Sequence, residues 1–137
     1  MSFFDRESKM LQNLRDFFIP PENPESLLKH LTEIINKITP AVQKLSNDER
    51  SKPCDSIDTS EASRAYGGTN NSDIILSQEM FNFTSIMTGY IRNKQNKQVV
   101  RITTFYDEFV ADYGAKPIAD LPAILTNFYS KVKKLTQ

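Results

Sequence analysis

The spacing of the apolar residues is the feature that most constrains the fold of this 137-residue chain. Apolar residues recur at steps of three and four along most of the sequence, which matches the 3.6-residue turn of an α-helix. The pattern predicts helices at about 5–18, 24–45, 73–92, 97–113 and 120–136. We therefore expect an all-α fold, a four- or five-helix bundle that forms one domain over residues 1–137.

The second predicted helix, 24–45, has clear boundary residues and an internal proline. Asn23 can cap its start, and Pro24 occupies the first helical position, where the missing N–H costs nothing. Pro40 removes one backbone hydrogen bond inside the helix. Because the apolar stripe keeps its phase from Leu31 to Leu45 across Pro40, we predict one Pro-kinked helix rather than two separate helices.

A β-strand is the alternative interpretation of residues 99–106, which are rich in β-branched and aromatic side chains. This stretch has no plausible hairpin partner in the sequence. Its helical phase also continues to Tyr113, where Gly114 and Pro117 end the pattern. The helical interpretation is therefore preferred.

Residues 46–72 differ from the rest of the chain because polar and turn-forming residues dominate them. Within this stretch, Asp58 to Glu61 fits a capping box, and residues 62–66 fit a short helix that Gly67 would stop. We predict a long, mobile polar linker with one short helix. A tolerated insertion is the favoured interpretation, and a partner-binding or regulatory segment is the alternative.

Composition and charge indicate an ordinary globular protein. Lys and Arg total 17, Asp and Glu also total 17, and 39% of the residues are hydrophobic. No apolar run approaches the length of a membrane-spanning helix, and the first residues do not resemble a signal peptide. The amphipathic C-terminal stretch is too weakly basic for membrane anchoring. We expect an intracellular, cytoplasmic protein without membrane association.

The sequence contains few residues suited to catalysis or to metal binding. His30 is the only histidine and Cys54 the only cysteine, and the carboxylates show no metal-ligand spacing. The adjacent acids Asp107 and Glu108 would diverge by about 100° on a helix, so they cannot flank one bond. We therefore expect no enzymatic activity, no metal and no cofactor.

Aromatic residues suggest a function in protein binding. The chain has nine Phe and five Tyr, and neighbouring aromatic residues widen several apolar stripes beyond one helix face. A bundle core explains part of this surplus, and an interface with a protein partner or a second copy explains the rest. We predict a non-enzymatic interaction module, such as an adaptor, regulator or assembly subunit. Its candidate interface residues are Phe3, Phe4, Phe17, Phe18, Phe81, Phe105 and Tyr129.

Nucleic-acid binding is the alternative function. No acidic residue occurs between Glu79 and Asp107, and this interval contains four basic residues. They are Arg92, Lys94, Lys97 and Arg101. The last three would share a helix face, where they could contact phosphates. The balanced net charge argues against a dedicated nucleic-acid binder.

Overall fold

The fold is all-α, as predicted, and its computed structural model describes residues 23–59, 72–93 and 97–137. Five α-helices and two 3-10 turns lie in these ranges, and no β-strand does. The helices are α1 (Pro24–Gln43), α2 (Asn47–Ser51), α3 (Ser72–Asn93), α4 (Lys97–Tyr113) and α5 (Leu121–Lys134). The helix predicted at about 5–18 lies outside the described residues. None of the described helices is long and apolar enough to cross a membrane.

Helix α1 begins as its sequence predicts and continues through its proline. The Asn23 side-chain oxygen accepts a hydrogen bond from the backbone N–H of Ser26 at 2.8 Å. The helix is continuous past Pro40, and Val42 is buried on the same stripe as the residues before the proline. The proline therefore does not break α1, and the kink itself stays a prediction.

Helix α5 begins without a side-chain cap. Asp120 occupies the N-cap position, but its side chain makes no capping hydrogen bond. The reason is its backbone, which is already helical because Asp120 ends the 3-10 turn Ile118–Asp120. A capping residue usually needs an extended backbone to turn its side chain toward the helix start.

The core lies where α1, α3, α4 and α5 meet. Helix α1 packs against α3 and α5, and α4 packs against α5 and α3, so the four long helices enclose one apolar interior. Leu27, Ile38, Met87 and Leu121 are among the residues that are completely buried there. Burying large aliphatic side chains contributes roughly 1.5–3 kcal/mol each, which makes this interior the main source of stability.

Five aromatic rings form a connected cluster inside the bundle. The Phe83 ring of α3 lies 4.9 Å from Phe109 and 5.8 Å from Tyr106, both on α4, measured between ring centroids. It also lies 5.5 Å from Phe128 of α5, and Tyr113 stacks on Phe109 at 5.4 Å. Much of the aromatic surplus therefore serves the core.

The first part of the predicted linker packs against the bundle, and its predicted mobility stays a prediction. It contains α2, whose capping box joins Ser46 and Glu49. The backbone N–H of Cys54 donates to the carbonyl of Lys116 at 2.7 Å, and that of Ile118 donates to Lys52 at 2.9 Å. These bonds hold the chain before the 3-10 turn Cys54–Ser56 against the loop that connects α4 to α5. The predicted capping box reaches Glu61, which lies outside the described residues. The predicted helix at 62–66 lies outside them entirely.

Candidate functional site

A groove of about 230 Å³ lies between α4 and α5. The two helices are antiparallel, because the start of α4 lies beside the end of α5. The Gln98 side chain donates to the carbonyl oxygen of Leu135 at 3.4 Å, and Glu108 meets Lys131 farther along. We call this surface the α4–α5 groove.

Each helix contributes one row of side chains at helical spacing. Helix α4 supplies Phe105, Glu108, Phe109 and Asp112. Helix α5 supplies Ile124, Asn127, Phe128 and Lys131. Steps of three and four residues place each row on one face of its helix, so both rows line the same groove.

The floor of the groove is aromatic and its walls are partly apolar. Phe109 and Phe128 are buried below it, with ring centroids 5.8 Å apart. Phe105 and Ile124 are half-buried beside them and pack against the core. The groove therefore exposes apolar surface that is fixed in position by the core beneath it.

An ion pair spans the rim of the groove. The Lys131 Nζ atom lies 3.1 Å from Glu108 Oε2, and it also lies 5.8 Å from the centroid of the Phe105 ring. The two charged side chains are 37% and 56% exposed, so the pair contributes no more than about 1 kcal/mol to stability. Asp112 adds a second carboxylate one turn beyond Glu108. This arrangement suits the binding of an apolar side chain that is flanked by charges.

Of the three predicted interface aromatics that the structure describes, one lines the groove. This residue is Phe105. Tyr129 is half-buried against the core on another side of α5, and Phe81 is half-buried on α3. The four remaining candidates, Phe3, Phe4, Phe17 and Phe18, lie outside the described residues.

The predicted basic residues lie near the α3–α4 connection. Arg92 is exposed near the end of α3, and Lys97 and Arg101 are exposed in the first turns of α4. Lys94 lies outside the described residues. The hydrogen bond from Gln98 to Leu135 places the last turn of α5, with its lysines, beside this part of α4.

The residues considered for metal or nucleophilic chemistry do not form a site in the described ranges. No group of three His, Cys, Asp or Glu side chains with metal-binding geometry occurs there. Cys54 is completely buried, and its thiol donates to the Pro117 carbonyl at 3.6 Å. Burial, with Asp120 and Asp55 nearby, raises the pKa of Cys54 to about 11. A thiol with this pKa is a poor nucleophile at neutral pH.

Several groove residues were not identified from the sequence. Ile124, Asn127, Phe128 and Lys131 lie within the helix predicted at about 120–136, but nothing in the sequence groups them into a site. The pairing of Lys131 with Glu108 joins residues 23 positions apart, and no local pattern reveals such a contact. Their spacing on each helix was visible in the sequence, but the packing of α4 on α5 was not.

No protein-family model, no curated protein sequence and no solved structure matches the chain.

Proposed function

We propose that this chain is a non-enzymatic protein-interaction module, an adaptor, regulator or assembly subunit, and that the α4–α5 groove is its binding surface. The main supporting observation is the aromatic floor of this groove, bordered by charges of both signs. Apolar grooves between helices are common docking sites for an amphipathic helix of another protein.

The size of the groove favours a side chain over a small-molecule substrate. Pockets for small molecules usually enclose roughly 300–1,000 Å³. The α4–α5 groove encloses about 230 Å³, which suits one or two apolar side chains of a docked helix. The rim is exposed, whereas catalytic carboxylates commonly lie in sites that exclude water.

Charge complementarity defines the expected occupant. The groove has Asp112 on one helix and Lys131 on the other, with Phe105 and Ile124 between them. We therefore infer an amphipathic partner helix that carries a bulky apolar anchor, such as Leu or Phe. A cation on that helix would lie near Asp112, since Lys131 is already paired with Glu108.

The first experiment identifies the occupant by photo-crosslinking in the cells that make the protein. A benzophenone amino acid replaces Asn127, which is exposed at the groove, or Val110, which is 53% exposed on another side of α4. We expect a discrete crosslinked protein from position 127 but not from position 110. Mass spectrometry then distinguishes a different protein from a second copy of this chain.

The second experiment measures binding of the identified partner to purified variants. Asn127→Arg fills the groove, and Thr126→Arg places the same new charge on the neighbouring exposed position of α5. We expect the first substitution to weaken binding at least about tenfold, because it blocks the apolar centre of the interface. The second should leave the Kd within about twofold. Equal effects of the two substitutions, or no specific crosslink at position 127, would overturn the proposal.

A further inference from the structure

Two stretches of the chain contain no acidic residue at all. Residues 80–106 form the first, and residues 121–137 form the second. Together they contain seven basic residues. These are Arg92, Lys94, Lys97, Arg101, Lys131, Lys133 and Lys134. The sequence separates the two groups by about 30 positions, so neither stretch alone shows a large basic surface.

Tertiary structure places these two stretches side by side. The hydrogen bond between Gln98 and Leu135 fixes the first turn of α4 beside the last turn of α5. Helix α3 ends at Asn93, and α4 begins only four residues later, so Arg92 lies at the same end of the bundle. Three neighbouring helix ends therefore contribute to one surface.

Five exposed cations define this surface, which we call the basic end. They are Arg92, Lys97, Arg101, Lys133 and Lys134. Lys131 borders it but is already engaged by Glu108 at 3.1 Å. Glu25, in the first turn of α1, also lies near this end, since burial and, to a lesser extent, the Glu25 charge raise the pKa of Tyr90 on α3. The five positive side chains outnumber it and create a local positive potential in a chain whose net charge is zero.

Helix stability explains three of these five cations. Arg92 lies in the last turn of α3, and Lys133 and Lys134 lie in the last turn of α5, where cations favourably oppose the negative end of the helix dipole. Lys97 lies in the first turn of α4, where the dipole is positive and a cation is unfavourable, and Arg101 follows one turn later, where the dipole offers it no stabilisation. The first turn of α4 has no acidic residue, and its last turn has no basic one. The cations on α4 therefore require another explanation.

We propose that the basic end binds the phosphate backbone of a nucleic acid, a function beyond the protein-binding groove. Exposed single ion pairs contribute little to a protein interface. A polyphosphate chain, in contrast, contacts several cations at once and gains affinity by releasing its counterions. Neighbouring helices lie about 8–10 Å apart, so the basic end spans enough surface for several consecutive phosphates.

The apolar surface near the basic end does not favour a membrane as the anionic partner. Membrane-surface helices insert a row of bulky apolar or aromatic residues. On the described surface the exposed large apolar residues are Val100 and Val110, and they lie ten positions apart on α4. The basic end therefore offers charge for phosphate contacts and little apolar surface for insertion.

The test is fluorescence anisotropy of the full chain with a labelled 20-base-pair DNA duplex and a 20-nucleotide single-stranded RNA. We expect binding to at least one probe at 50 mM salt. Four or five phosphate contacts predict that affinity falls about 100-fold between 50 and 200 mM salt. The two probes distinguish DNA from RNA as the source of the phosphates.

Paired charge-neutralising variants locate the contacts. Lys97→Gln with Arg101→Gln removes the α4 half, and Lys133→Gln with Lys134→Gln removes the α5 half. Each pair should weaken binding about tenfold or more and lower the salt slope by about 2. The matched control is Lys44→Gln with Lys116→Gln, which removes two exposed cations at the opposite end of the bundle. This control should change the Kd less than about twofold.

Several results would overturn the proposal. One is that neither probe binds at 50 mM salt. Another is that the four substitutions together leave the Kd unchanged, and a third is that the control pair weakens binding as much as the paired variants do. Equal or tighter binding to phosphatidylserine vesicles, or equal competition by polyglutamate, would assign the basic end to a membrane or to an acidic protein instead. Circular dichroism of each variant verifies that the helices remain folded.

Discussion

Cys54 shows how tertiary contacts change the properties of a single residue. Its sequence neighbours are polar, yet its side chain is completely buried beneath the loop between α4 and α5. The hydroxyl of Tyr113 donates to its backbone carbonyl at 3.1 Å. Its thiol is therefore protected by both burial and a raised pKa.

We predict that Cys54 reacts slowly with a thiol reagent in the folded protein. A pKa of about 11 leaves about two orders of magnitude less thiolate at pH 8 than an ordinary cysteine would have. The reaction with 5,5′-dithiobis(2-nitrobenzoic acid) measures this directly, since the chain has only one cysteine. The unfolded chain in guanidinium chloride is the control and should react at the rate of a free thiol. Rapid reaction of the folded protein would contradict the prediction.

Glu79 is a buried carboxylate on α3, only 5% exposed. Burial raises its pKa above 4.5, and Glu33 adds to this effect, whereas Lys37 and the hydrogen bond from Asn82 oppose it. The folded state therefore binds the Glu79 proton more tightly than the unfolded state does. Its contribution to stability is complete below about pH 4.5 and is lost as the pH rises through the raised pKa.

We expect Glu79→Gln to increase the free energy of unfolding at pH 7, because the amide avoids the burial of a charge. The substitution should also remove part of the decrease in stability above pH 4.5. Urea unfolding at pH 5 and pH 7 measures both effects. Asp107→Asn removes a charge from an exposed position of α4 and should change stability by less than about 0.5 kcal/mol. A loss of stability in Glu79→Gln at pH 7 would show that attraction to Lys37 outweighs burial.

At the scale of the secondary-structure element, Pro40 is the residue of α1 that disfavours a helix most. Pro40 lies inside the helix, where it removes a hydrogen bond to the carbonyl of Asn36. Its own side chain is exposed, so its replacement would lose little packing. Burial of Ile38, Ala41 and Val42 around it keeps α1 helical despite this cost.

We predict that Pro40→Ala stabilises the protein by about 1–3 kcal/mol, because a backbone hydrogen bond is restored and alanine favours helices. Thermal and urea unfolding, compared with the unaltered chain, measure the change. A substitution of an exposed residue in the same helix, Asn36→Ala, should give less than about 1 kcal/mol. A loss of stability in Pro40→Ala would support the predicted kink and would mean that it is needed to place Val42 and Leu45 in the core.

At the scale of the whole molecule, Phe83 links three helices. It is 1% exposed, and its ring contacts Tyr106 and Phe109 of α4 as well as Phe128 of α5. Such edge-to-face pairs contribute about 0.5–1.5 kcal/mol beyond the burial of their area. Two rings of this cluster, Phe109 and Phe128, form the floor of the α4–α5 groove, so the cluster connects the core to the proposed binding surface.

We expect Phe83→Ala to lower the free energy of unfolding by about 3–5 kcal/mol, because it opens a cavity among three helices. Phe83→Leu retains most of the volume and should cost less. A double-mutant cycle with Phe128→Leu then measures the coupling of the two rings, which we expect at about 0.5–1.5 kcal/mol. Additive losses in this cycle would show that the rings contribute only through burial.

The sequence by itself determined the all-α class and the phase of its apolar stripes. These properties depend on interactions within about four residues, such as those between Leu31 and Ile35 or between Asn23 and Ser26. Helical spacing also identified Phe105 as an aromatic residue outside the main apolar stripe of its helix. It placed Lys97 and Arg101 on one basic face of the same helix. The functions assigned to these residues stay proposals.

Only the tertiary structure decided which of these faces meet. It placed Lys131 against Glu108 and buried Cys54, a residue of a polar segment, in the core. It also brought Lys133 and Lys134 beside the start of α4. Each of these contacts joins residues that are far apart in the chain. Helical spacing assigns a residue to a face of its own helix, but the packing of complete helices selects the neighbour that this face contacts.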